Sequence, residues 1–95
     1  MFMKIRKATL KDAESCTRIS QQEKERYWTK QNFLRSVKDE DVVLMVAEEG
    51  GKVIGYSLGF VIPTKRIEAL LHETRVDLRF RGEGIGTKLV DAVCE

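Results

Sequence analysis

A chain of 95 residues with 42% apolar and 34% charged side chains fits one small folded domain and excludes a disordered or membrane-embedded class. Its net charge of +2, with Lys and Arg interleaved among Asp and Glu, provides no basic stripe for nucleic acid. Met1 to Arg6 lack the apolar stretch of a signal peptide, and no run approaches a membrane span, so the expectation is a cytoplasmic protein with no membrane partner.

Taken in order, Met3 to Ala8 alternates apolar and charged residues, which predicts a half-buried edge strand. Thr9 and Asp12 stand at the spacing of a capping box, and Leu10, Ala13, Cys16, Thr17, Ile19 and Ser20 follow at helical spacing. The first helix is expected from about Lys11 into the 21–26 region. Thr29 is a suitable cap for a second helix that carries Phe33, Leu34 and Val37 on one face. Val42 to Ala47 and Val53 to Ile62 are apolar runs of strand length joined by a Glu49-Gly50-Gly51-Lys52 hairpin. Gly55 and Gly59 inside the second run predict a bulge or a close backbone approach. Pro63 ends it, a short basic connection follows at 64–66, and Glu68 to Val76 is the next strand. Thr87 to Val93 reads as a last helix. Cys16 and Cys94 lack metal-ligand spacing and are expected to be reduced and buried, with no metal site.

The informative stretch is Arg81-Gly82-Glu83-Gly84-Ile85-Gly86-Thr87, between the last strand and the last helix. Glycines at alternate positions let a ligand approach the main chain, and the helix start adds unpaired N–H donors and a positive dipole end. Pyrophosphate is the group this arrangement suits. A Walker loop is excluded because the order is Gly86-Thr87-Lys88. A dinucleotide fingerprint needs an acidic residue about twenty positions on, beyond the end of this chain, and a kinase loop needs a much larger domain.

The stretch resembles the acetyl-coenzyme A loop of the GCN5-related N-acetyltransferase (GNAT) superfamily: Arg or Gln, two residues, Gly, one residue, then Gly or Ala. Arg81, Gly84 and Gly86 match it, Val76 to Phe80 match the lead-in, and Leu89 and Val90 match the helix core. The resemblance implies an α+β (mixed α/β) acyl-CoA N-acyltransferase-like fold in the order β-α-α-β-β-β-α, with a mainly antiparallel sheet. It implies acetyl-CoA as co-substrate, with Arg81, Gly82, Gly84, Ile85, Gly86 and Thr87 at the pyrophosphate and the backbone of Thr74, Arg75 and Val76 along the pantetheine. A primary amine would attack the thioester directly.

For proton transfer, His72 is the one histidine, Glu68 shares its strand face at period two, and Glu73 lies on the other, unless a bulge switches faces. Glu25 and Tyr27 are further expectations for the acceptor side. Members of the superfamily continue with another strand, a helix and a hairpin, so the expectation is a domain truncated at its C-terminal end. Its Glu68 to Val76 edge would be left open for a second copy or another chain. The alternative reading is a non-catalytic coenzyme A binder or half-domain that works through association.

Overall fold

The computed structural model of the protein describes residues 3–23, 28–62 and 68–94, with side chains at all of these except 62, 68–72 and 94. Strand β1 (Met3–Lys7) pairs antiparallel with β2 (Val42–Glu49), β2 with β3 (Lys52–Ile62), and β3 with β4 (Glu68–Val76). The four strands lie in chain order, so β1 and β4 are the edges among the described residues. Helices α1 (Ala13–Ser20) and α2 (Lys30–Lys38) connect β1 to β2, and α3 (Ile85–Cys94) follows β4. The expected mixed fold and element order are observed.

The helices cover both faces of the sheet, which is why β2 and β3 read as continuous apolar runs. On one face Ala13, Cys16, Ile19 and Phe33 of α1 and α2 meet Leu44, Val46, Val53, Tyr56 and Leu58. The Phe33 ring stands edge-on to Tyr56 at 5.0 Å and tilted to Trp28 at 5.5 Å. On the other face Ile85 and Leu89 of α3 meet Ala47 and Ile54, flanked by Met45, Val76 and Phe80. Full burial of side chains of this size contributes about 1.5–3 kcal/mol each.

Two bulges adjust this sandwich. Ala47 pairs with Gly55 and Glu48 with Val53, leaving Ile54 as an extra residue in β3 beside Gly55. A Cβ on Gly55 would lie 3.1 Å from the Arg75 carbonyl oxygen and 3.1 Å from Leu89 Cδ1. Glycine here lets α3 approach the sheet, as its position inside a strand predicts. The second bulge is in β4: Leu58 pairs with Glu73 but Gly59 with Leu71, so His72 is the extra residue. The simple alternation that would put Glu68 and His72 on one face is therefore interrupted between them.

The first helix differs from its expected span. It begins with a tight turn, Leu10–Asp12, in which the Thr9 amide donates to the Asp12 carboxylate at 2.7 Å. Leu10 is consequently exposed instead of joining the buried helix face. Regular helix stops at Ser20, and the amides of Gln22 and Glu23 return to the carbonyls of Ile19 and Ser20, the tightening common at helix ends. The second helix starts as expected: the Asn32 amide donates to Thr29 Oγ1 at 3.3 Å, and the Thr29 amide to Asn32 Oδ1 at 2.9 Å. Glu25, Tyr27 and the connection at 63–66 lie outside the described residues.

Candidate functional site: the glycine loop and the free edge of β4

The loop is built outward from the end of β4. The Asp77 amide donates to the Ile54 carbonyl at 2.8 Å, a last rung to β3. Asp77 then caps a tight turn, Leu78–Phe80, by accepting the Arg79 amide at 3.1 Å. Arg81 Nε turns back to the Val76 carbonyl at 3.1 Å and closes the corner. Gly82 and Gly84 have φ of +86° and +78°, the left-handed region where a side chain costs about 1–2 kcal/mol. A Cβ on either would meet nothing within 4 Å, so the loop surface is open.

Helix α3 begins immediately afterwards. Its first backbone bond in the structure runs from the Lys88 amide to the Gly84 carbonyl at 3.3 Å, so the amides of Ile85, Gly86 and Thr87 precede the intrahelical ladder. They face outward with the positive end of the helix dipole. A Cβ on Gly86 would lie 3.8 Å from Val76 Cγ2 and 4.0 Å from Thr74 Cγ2, which brings the helix start against the end of β4. The expected loop residues Arg81, Gly82, Gly84, Ile85, Gly86 and Thr87 thus form one continuous corner with Thr74 and Val76.

Antiparallel rungs alternate between the partner strand and the opposite side. With Asp77 bonded to Ile54, the backbone groups of Arg75 point to β3, and those of Thr74 and Val76 point to the free side of β4. Thr74 and the Val76 N–H therefore offer main-chain groups to an extended ligand, the Val76 carbonyl being taken by Arg81. Arg75 contributes its side chain on the opposite face, donating to Glu73 Oε1 and to Glu23 Oε2, each at 2.8 Å. Tyr56 completes this cluster by donating its hydroxyl to Glu73 Oε2 at 2.7 Å. Burial holds the Tyr56 phenol well above its ordinary value. Of the three expected proton-transfer residues, only Glu73 has a described side chain; Glu68 and His72 are placed on β4 by their backbone.

Sequence reasoning missed Asp77, which is 1% exposed. It accepts from Arg18 Nη1 at 3.0 Å, Gln22 Nε2 at 3.4 Å and Arg79 Nη2 at 3.4 Å. Burial alone would raise its carboxyl, but the bonds from Arg79, Arg18 and Gln22 prevail and hold it well below the usual carboxylate range. Its place directly after a strand and before a turn was a capping signal in the sequence. The partners on α1 and just after it had no such signal. Cys16 is a buried free thiol that burial pushes up to about 12, which removes it as a nucleophile.

A family model described as the acetyltransferase (GNAT) family matches residues 7–95. The chain belongs to the GNAT acetyltransferase family. Solved structures agree with the fold of this GNAT domain. Ard1 from Thermoplasma volcanium superposes with a TM-score of 0.81 at 34% identity, over 98% of this chain and 62% of that one. The ribosomal-protein-S18-alanine N-acetyltransferase from Escherichia coli gives 0.80 at 20% identity, over 96% and 56%. The PaiA N-acetyltransferase from Thermoplasma acidophilum, solved in complex with coenzyme A, gives 0.77 at 19% identity, over 97% and 69%. The chain thus spans less than two thirds of the length of the first two. No curated protein sequence matches it. No helix among the described residues of this GNAT domain is long and apolar enough to cross a membrane.

Proposed function

We propose that this chain is an N-acetyltransferase that moves acetyl from acetyl-CoA to a primary amine by direct attack, its loop Arg81 to Thr87 binding the pyrophosphate of the coenzyme. One observation carries the reading. The outward amides at the start of α3, the two left-handed glycines and the outward main-chain groups of Thr74 and the Val76 N–H meet at one corner. A pyrophosphate suits the amides, and a peptide-like pantetheine arm suits the edge. Gly82, Gly84, Ile85, Gly86 and Thr87 would bind the former, with Arg81 shaping the loop.

In the reaction the amine nitrogen attacks the thioester carbonyl, a C–N bond forms, the C–S bond breaks, and the electron pair leaves on sulfur. The Val76 N–H polarises the carbonyl oxygen. The proton shed by the amine passes to a residue of β4 or to water, and the set remains Glu68, His72 and Glu73. Glu73 is supported by the two bonds that fix its orientation, from Tyr56 and Arg75. The site of action proposed is the cytoplasm.

The second reading, a coenzyme A binder that acts through association with another copy or chain, is favoured by the position of β4 as an edge strand among the described residues. Incubation with acetyl-CoA and a panel of primary amines, read by thiol release, separates the two. Amine-dependent release supports the transferase, binding without turnover supports the alternative, and no binding excludes both.

A further inference from the structure

The loop corner is exposed from Leu78 through Gly84 except for Phe80, which is half-buried, so packing alone gives it little rigidity. Side chains hold it instead: besides Arg81, which closes the corner onto Val76, these are Asp77 and two from α1 and the turn that follows, Arg18 and Gln22. Gln22 reads both sides of the corner: its Oε1 accepts the Leu78 amide at 3.0 Å and its Nε2 donates to Asp77 Oδ1 at 3.4 Å. Arg18 donates to Asp77 Oδ2 at 3.0 Å and also reaches the Val53 carbonyl at 3.4 Å, so it spans from the loop to the start of β3. Asp77 in turn holds the Arg79 amide.

We infer that Gln22 and Asp77 are positioning residues for the coenzyme, through which the C-terminal end of α1 fixes the corner from which the glycine loop departs. Neither touches the ligand in this scheme. The inference rests on the proposed role of the loop. Removing the carboxylate or the amide leaves the glycines and α3 intact but frees Leu78 and Arg79, and binding then has to order the corner itself. The charge of Asp77 argues against a purely electrostatic role. It is an anion beside an anion site, so its loss on field alone would tighten binding, whereas its loss as a tether weakens it.

The test is calorimetric titration of coenzyme A into the wild-type chain, Gln22→Ala and Asp77→Asn, with melting curves of each. Asp12→Asn, a buried carboxylate remote from the loop, is the control. The tether predicts that Gln22→Ala, which changes no charge, raises Kd about tenfold, the equivalent of one or two neutral hydrogen bonds. Asp77→Asn raises it as well, and Asp12→Asn lowers the melting temperature without changing Kd. Unchanged Kd in Gln22→Ala, or tighter binding in Asp77→Asn, overturns the inference. Failure of the wild-type chain to bind coenzyme A overturns the reading of the loop and the tether with it. Should both variants fail to fold, amide hydrogen exchange in the wild-type chain decides. The tether predicts that the amides of Leu78 and Arg79 are protected relative to Gly82, and equal exchange overturns it.

Discussion

Asp12 and Asp77 are the same device in two places. Each is a buried carboxylate bonded to a backbone amide of a tight turn, Asp12 as the last residue of its turn accepting from Thr9 and Asp77 as the cap before its turn accepting from Arg79, and each is neutralised by an arginine from another element. Asp12 is gripped by Arg6 through two short bonds, 2.7 and 3.0 Å, and Arg6 continues to Glu48 at 2.8 Å, which ties β1 and β2 to the entry of α1. Asp77 has more partners at longer range, from α1, the turn after it and its own loop. The first cluster fastens regular elements that also pack on each other. The second fastens an exposed corner with little packing of its own. A buried ion pair serves stability in one setting and the geometry of a site in the other.

The comparison breaks if the two clusters respond alike. The largest loss of stability is expected for Asp12→Ala, which leaves Arg6 with Glu48 as its one carboxylate partner and opens the first turn: on the order of 2–3 kcal/mol by urea unfolding, with coenzyme A affinity unchanged in the folded fraction. Gly84→Ala comes next. Its φ of +78° implies about 1–2 kcal/mol of strain, and because the strain falls at the start of α3 it should weaken coenzyme A more than tenfold in the same titration.

Acidification gives a smaller, graded effect. The Asp12 carboxyl is held low by Arg6 against burial, and Asp77 is held low despite burial. Groups depressed in the folded state contribute fully above the unfolded value, about 3.9 for aspartate, and the contribution is lost as pH falls below it. Urea midpoints should therefore be level above about pH 4 and drop below it, with a shallower drop in Asp12→Asn; a drop of unchanged steepness would contradict the assignment. The smallest effect is expected for Glu23→Gln. Its bond to Arg75 is short, but its side chain is 47% exposed, so the change in stability should stay within about 0.5 kcal/mol. A loss as large as that of Asp12→Ala would mean that exposure does not separate these pairs.

What was legible in the sequence was local or periodic. The Thr29 cap, the Gly50-Gly51 hairpin, the apolar strands and the glycine loop with its helix all follow from residues within a few positions of one another. Gly55 announced a close approach without naming Leu89 as the neighbour. The long-range side-chain chemistry was not legible. Arg18 lies 59 residues from Asp77 and Glu23 lies 52 from Arg75, and no periodicity links such pairs. The phase of β4 was hidden for another reason: a single extra residue at His72 resets the alternation. The end of α1 was hidden too, because Gln21 to Glu23 have helical composition but are drawn into a tight turn beside the loop.

The central claim, that the corner at Thr74 to Thr87 grips the pyrophosphate of the coenzyme, is tested most directly by comparing two ligands of the wild-type chain. Coenzyme A and pantetheine share the arm that would lie along β4, and only coenzyme A carries the pyrophosphate and nucleotide. Calorimetry should show coenzyme A binding more than tenfold tighter than pantetheine, with the difference shrinking in Gly84→Ala. Equal affinities for the two ligands, or a difference that survives Gly84→Ala unchanged, would contradict the account.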